Sequence, residues 1–312
     1  MNRPLPSPHP AHRSPLPGYA FIALAALLWG TLGPVARLAL RDGVDPLELS
    51  FWRALLGGAL FGVHALARRR LRVSTRDLPA ILAFALLGVA IFYLAYFRAV
   101  SAGGAALAAI LLYTAPAWVA LASALWLHER MTARKLAALA LTLCGVALVA
   151  LGSDDARTGG VRVGPAALGW GLLAGVAYAA YYLFGKRYFA RYEAPTVLLH
   201  ALPLGALALL PAVRFAPKSA ATWAVIAFIA VVPTYLAYFV YGLGLRRVEA
   251  TRAATVATLE PLVAAALAYA VWGEALRPAG YLGAMLVLAG VLVVAGERVA
   301  RSGAAPEVAA RG

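Results

Sequence analysis

Glu260 is the residue in this 312-residue chain whose type and setting most suggest chemistry. It lies about eight residues into an apolar stretch, 252–273, or ~12 Å along it at 1.5 Å per residue. A carboxylate that deep in apolar surroundings is costly to keep and marks a binding or proton-relay position by default. Pro261 follows it, which removes a backbone donor and frees the carbonyl one turn earlier. Glu260 could bind a ligand ammonium, or bind and release a proton; as a structural group it would bond a neighbouring helix instead. Two arginines also fall within apolar stretches. The donor fork of Arg53 suits a carboxylate ligand, although pairing with Glu48 or with backbone carbonyls is the more ordinary use. Arg37 is placed to snorkel to an interface. His200 is a candidate for a binding cavity and His64 a weaker one, against the ordinary role of a hydrogen-bonding packer.

Aromatic residues accompany these charges. Tyr93, Tyr96 and Phe97 share one helical face at i, i+3, i+4 spacing, and Tyr235, Tyr238 and Phe239 repeat it. Tyr178, Tyr181 and Tyr182 cluster, and Trp29, Tyr113 and Trp118 add to the set. An interfacial belt or plain packing is the bland reading, but Trp29 is about ten residues into its stretch, too deep for a belt. Tyrosines with few charges would line a site for apolar or aromatic amino acids, by stacking and cation–π contact with an ammonium. They would suit a phosphate poorly, since phosphate needs fixed cationic partners.

The elements that must position these groups follow from composition. The chain is 63% hydrophobic and 13% charged, with a net charge of +15. Soluble domains are about 45–50% apolar and about 25% charged, so neither a soluble globular domain nor disorder fits. Ten apolar stretches of near membrane-spanning length run over 19–40, 46–67, 78–98, 104–127, 134–151, 166–185, 195–213, 220–244, 252–273 and 278–296. The strand-length alternation of an outer-membrane barrel is absent. Gly57-Gly58, Gly103-Gly104 and Gly171 with Gly175 would let helices approach closely. With both termini inside, the inner segments carry 19 of the 28 Lys and Arg and the outer loops 7, as the positive-inside rule requires. The charge therefore orients the chain and does not call for nucleic acid. This places the protein in a bacterial inner (plasma) membrane, multi-pass, with cytoplasmic tails at 1–18 and 297–312, the first of them disordered, and an external linker at 153–165.

The chain also matches itself. The pentapeptide YLAYF occurs at Tyr93–Phe97 and Tyr235–Phe239, and Pro116, Glu129 and Gly145 recur about 145 residues later as Pro261, Glu274 and Gly290. Two five-span units, 19–152 and 166–296, result, and an odd number of spans forces the second to enter the membrane inverted. Inverted repeats are an architecture of secondary transporters, whose site lies at the midplane beside interrupted helices. Pro116 and Pro261 are equivalent interruptions, and Pro34, Pro203 and Pro233 are expected to break three further spans. Glu129 and Glu274 close spans 4 and 9 on opposite sides, where they could gate through ion pairs with loop arginines or simply mark helix ends.

Leu28-Trp29-Gly30, Leu49-Ser50-Phe51-Trp52-Arg53 and the Pro116…Glu129 and Pro261…Glu274 pairs resemble the drug/metabolite transporter superfamily, and within it the ten-span EamA-type exporters. The resemblance covers about 19–296 and looks closest to exporters of the YddG type. It implies an all-α fold of ten helices in two inverted five-helix repeats around a central cavity, and export of small metabolites, often amino acids. Ala115, where the second repeat has Glu260, departs from the repeat.

Together these readings name Trp29, Tyr93, Tyr96, Tyr113, Tyr178, Tyr182, His200, Tyr235, Tyr238 and Glu260 as substrate-binding candidates, with Pro116 and Pro261 as helix breaks. They call for no metal, no cofactor and no enzymatic reaction. The expected partners are a small-molecule substrate and the lipid bilayer, in a monomer. No H-E-x-x-H, G-x-S-x-G or G-x-x-x-x-G-K-[ST] motif occurs, the five histidines form no ligand spacing and Cys144 is the only cysteine. Export of other organic solutes, a channel without alternating access and an intramembrane enzyme remain the competing readings.

Overall fold

The computed structural model describes residues 16–152, 162–273 and 275–302, with side chains as far as residue 296. Most of both tails, most of the 153–165 linker and Glu274 lie outside the described residues. Ten helical segments among the described residues are long and apolar enough to cross a membrane. In order, spans 1 to 10 are Leu16–Arg41, Pro46–Ala67, Thr75–Gly103, Ala105–Trp126, Ala133–Leu151, Pro165–Tyr188, Ala194–Ala212, Ala220–Leu245, Ala250–Trp272 and Pro278–Gly296. The protein is an all-helical, multi-pass membrane protein. Span 1 begins at Leu16, so three residues read from the sequence as tail are helical, and the last helix runs on to Ser302.

Local chemistry sets the ends. Asp45 caps span 2 by accepting from the Leu47 N–H at 2.8 Å, with Pro46 in the first turn. Thr132 caps span 5 through the Lys135 N–H, and Ser219 caps span 8 through the Thr222 N–H. Gly104 stands between spans 3 and 4 at φ 88°, a left-handed conformation that costs glycine nothing.

The packing pairs fit two exchangeable halves. Span 5 lies along span 10 and span 2 along span 7, while span 6 packs on 3 and 4, and span 1 on 8 and 9. Swapping span 1 for 6, 2 for 7, 3 for 8, 4 for 9 and 5 for 10 returns the same set. The 5–10 seam is the tightest. A Cβ on Gly145 would stand 2.6 Å from the Gly283 carbonyl oxygen, and one on Gly283 would stand 2.5 Å from that of Gly145. Small residues replace water exclusion as the source of helix association in lipid. The outward faces carry Leu121, Leu125, Leu207, Met285 and Leu292, each more than half exposed, as a lipid-facing surface requires.

Candidate functional site

The site begins with three broken helices. Span 1 is helical to Gly30 and resumes at Leu32; span 4 stops at Leu112 and resumes at Ala115; span 9 stops at Ala257 and resumes at Glu260. Each break has one cause. Gly30, Leu112 and Ala257 stand four residues before Pro34, Pro116 and Pro261, so each carbonyl loses the donor a regular helix would supply. Each break also holds a threonine whose hydroxyl turns back three residues. Thr31 Oγ1 donates to Leu28 O at 2.7 Å, Thr114 Oγ1 to Leu111 O at 2.6 Å and Thr258 Oγ1 to Thr255 O at 2.5 Å. Gly175 of span 6 lets span 6 close on the span 4 break, since a Cβ there would stand 2.7 Å from both Leu111 O and Thr114 Oγ1.

Pro203 behaves otherwise than the sequence suggests. The helix Ala194–Leu209 runs through it, and its ring packs on Gly58 of span 2, where a Cβ would stand 2.5 Å from the ring. Pro233 lies inside a π-helical segment, Val231–Leu236, and a second one, Ala85–Ile91, occupies the equivalent place in span 3. The first runs two residues into its YLAYF repeat and the second ends two residues before Tyr93 of the other. Such wide turns frequently mark functional positions.

Against these breaks lies a polar centre walled by aromatic rings. The Tyr178 hydroxyl donates to Glu260 Oε2 at 3.4 Å, and the Tyr113 hydroxyl is within interaction reach of the same carboxylate. Arg53 reaches in from span 2: its Nε donates to Thr234 Oγ1 at 3.1 Å, and its guanidinium sits 5.3 Å from the centre of the Tyr93 ring. The Thr234 hydroxyl, which stands in the π-helical segment, donates in turn to Ile229 O in the preceding α-helical turn and keeps a lone pair for Arg53. Tyr178, Tyr238 and Glu260 lie in the electrostatic field of Arg53. Trp29 meets Tyr238 edge-on at 5.6 Å and Tyr241 at 5.2 Å, and Phe92 stacks on Tyr178 at 5.3 Å. Tyr182 touches Tyr178 and Tyr241, and Tyr181 touches Tyr238. Tyr178, Tyr238 and Glu260 remain partly accessible within this packing.

The structure therefore brings together Trp29, Tyr93, Tyr113, Tyr178, Tyr182, Tyr238 and Glu260. Tyr96 borders the group through Phe92 and the Tyr113 cluster. Tyr235 and His200 sit elsewhere. The Tyr235 hydroxyl pairs with His64 Nδ1 at 2.8 Å, and the His200 ring bonds the Leu71 carbonyl at 3.1 Å. The sequence reading left out Thr234 and Tyr241. Tyr241 continues the Tyr238 helix face by one turn, a signal that was available. Of the uses open to Arg53, pairing with Glu48 is not the one adopted, since Glu48 bonds Lys218, the Trp52 indole and the Ala216 N–H. Arg37 and Arg41 both lie over the Trp272 ring, at 5.3 and 4.4 Å.

A second polar cluster closes the end of the bundle where span 4 finishes and span 9 starts. Lys135 Nζ and Arg252 Nε meet Glu249 Oε2 at 3.0 and 2.5 Å, and Arg252 Nη1 reaches the Tyr19 hydroxyl and the Val294 carbonyl, both at 3.3 Å. Burial pushes the Glu249 carboxyl up, but hydrogen bonds from Lys135 and Arg252 outweigh this and hold it below the usual carboxylate range. Glu129 pairs with no loop arginine among the described residues. It caps span 9, accepting from the Ala250 N–H at 2.8 Å and the Thr251 hydroxyl at 2.8 Å. No group of three His, Cys, Asp or Glu side chains that could hold a metal comes together among the described residues.

Ten spans, interrupted helices and a polar centre inside the bundle define a membrane transporter. The chain belongs to the EamA-like transporter family, of the drug/metabolite transporter superfamily, whose pattern matches residues 16–151 and again 165–296. An uncharacterized transporter of Archaeoglobus fulgidus is 30% identical over 277 residues, covering 88% of this chain and 95% of the relative. A probable terminal-alkyne amino-acid exporter of Streptantibioticus cattleyicolor is 26% identical over 279 residues, covering 88% of this chain and 91% of the relative. A solved crystal structure at 23% identity superposes with a TM-score of 0.76, over 92% of this chain and 99% of that one, and shares the fold.

Proposed function

We propose that this protein is a secondary exporter of amino acids with apolar or aromatic side chains, working by alternating access around the Glu260 centre. The observation that carries the reading is the convergence of the span 1, 4 and 9 breaks on one carboxylate set among tyrosines and Trp29. Broken helices at the midplane of two repeated halves are where transporters of this architecture bind. Five spans per half imply that the second half enters the membrane from the opposite side, which gives a centre the two halves can expose in turn. An aromatic wall with few charges accommodates an apolar side chain, and the amino-acid exporter among the relatives points to the same class. The cation bias between the two sets of loops supports a plasma-membrane protein with both termini cytoplasmic.

Counterflow tests the reading. Purified protein in liposomes loaded with unlabelled phenylalanine or leucine should accumulate the labelled amino acid faster than empty liposomes. A channel would give no such trans-stimulation and an enzyme would alter the label covalently; either outcome overturns the proposal, as does inactivity with every amino acid.

A further inference from the structure

Arg53 and Glu260 are opposite charges inside one bundle, and neither neutralises the other. Arg53 is only 6% exposed. Its Nε is engaged by Thr234, while its two terminal amino groups carry no hydrogen bond among the described residues. Glu260 is met by two neutral tyrosine hydroxyls, Tyr178 at 3.4 Å and Tyr113, and by no cation in contact among the described residues. The two feel each other's field, yet no ion pair closes between them among the described residues. A charge inside the bundle with no opposite charge in contact is costly. An arrangement that holds two such charges near each other but apart is suited to a guest that carries both complements.

We infer that Arg53 and Glu260 form a zwitterion clamp, in which Arg53 takes the α-carboxylate of the transported amino acid and Glu260 takes its α-ammonium. The inference deepens the exporter reading and rests on it. Three features support the assignment of roles. The guanidinium is oriented by Thr234 on one side and the Tyr93 face on the other, which leaves its terminal fork free for the bidentate geometry a carboxylate prefers. Glu260 opens the second half of span 9 and is met by the hydroxyls of Tyr178 and Tyr113, whose oxygens can accept the remaining N–H groups of an ammonium. The hydroxyls of Tyr181 and Tyr241 are buried beside this centre with no hydrogen-bond partner among the described residues, so the wall has polar capacity to spare. The clamp would require both charges on one ligand. It would reject amines and carboxylic acids of the same shape, because each leaves one protein charge unpaired.

The test compares ligands that differ only in charge, on the purified unmutated protein. Phenylalanine and leucine are set against their decarboxylated amines, 2-phenylethylamine and isoamylamine, and their deaminated acids, 3-phenylpropionate and 4-methylvalerate. Competition against the labelled amino acid should be at least tenfold weaker for every amine and every acid. Arg53→Gln should narrow the gap between amino acid and amine, and Glu260→Gln the gap between amino acid and acid. Amines or acids that compete as well as the amino acids would overturn the clamp and leave the exporter reading standing. Failure of every amino acid to bind or to exchange would overturn that reading, and the clamp with it. Should either variant fail to fold, the ligand comparison on the unmutated protein decides alone.

Discussion

Arg53 of span 2 donates to Thr234 of span 8 across 181 residues of sequence, at 3.1 Å, and this bond aims the buried guanidinium. Thr234 accepts with one lone pair while its own proton goes to Ile229 O, which fixes the hydroxyl's direction. Replacing Thr234 with Val keeps the shape and removes the acceptor. Losing a hydrogen bond to a charged group costs about 1.5–3 kcal/mol, so affinity for the amino acid should fall roughly 10- to 100-fold, while Thr234→Ser stays near the unmutated value. Equilibrium binding on detergent-purified protein measures both. Equal affinity in the valine variant would mean that Arg53 is aimed by something else.

Pro261→Ala tests the break in span 9. Alanine restores a backbone donor for the Ala257 carbonyl and favours a continuous helix from Ala250 to Trp272. Thermal stability should hold or rise, and counterflow should slow by tenfold or more. Unchanged counterflow with a raised melting temperature would make the break dispensable.

Glu129→Ala removes the side chain that accepts from the Ala250 N–H and the Thr251 hydroxyl. Loss of a helix cap costs about 0.5–2 kcal/mol. The melting temperature should drop measurably, with substrate affinity unaltered, because the cap lies at the end of the bundle and away from Glu260.

Glu249 gives a pH dependence. Its folded carboxyl is held below the ordinary glutamate value, about 4.3 when unfolded. The stability it contributes is therefore complete above about pH 4.3 and is lost as pH falls through the lower folded value. Melting temperature measured from pH 7 to pH 3 should decline more steeply at the acid end in the unmutated protein than in Glu249→Gln. The variant should also be less stable at pH 7, because Lys135 is only 2% exposed and loses its counter-charge. Parallel acid profiles would remove Glu249 from the account.

The ten spans were legible because lipid demands long uninterrupted apolar runs, and the observed ends lie within a few residues of those read from hydropathy. The breaks at Pro116 and Pro261 were legible for a local reason, since a proline acts on the carbonyl four residues before it. Pro203 shows the limit of that reasoning: its helix continues, with the ring seated on Gly58 from another span. Among the uses the sequence leaves open for Arg53, helix geometry alone disfavours Glu48. Glu48 and Arg53 are five residues apart, which at about 100° per residue places them about 140° apart around the helix. Their true partners, Lys218 and Thr234, lie far along the chain, and no local pattern signals them. His200 joins the candidates by residue type, and Tyr235 by sharing a helical face with Tyr238. Their places are set by the Leu71 carbonyl and His64, which depend on how spans 2, 7 and 8 meet.

The seam between spans 5 and 10 constrains how the two halves can move. Gly145 and Gly283 put backbone against backbone, so sliding either helix by a turn would drive the side chain of Leu141 or Val149 into a main-chain carbonyl. The contact tolerates tilting far better than translation. It is a fulcrum in the mechanical sense: spans 4 and 9, which pack against this pair, can tilt on it while it stays in register, so Gly145→Val should stall turnover even in molecules that still hold substrate.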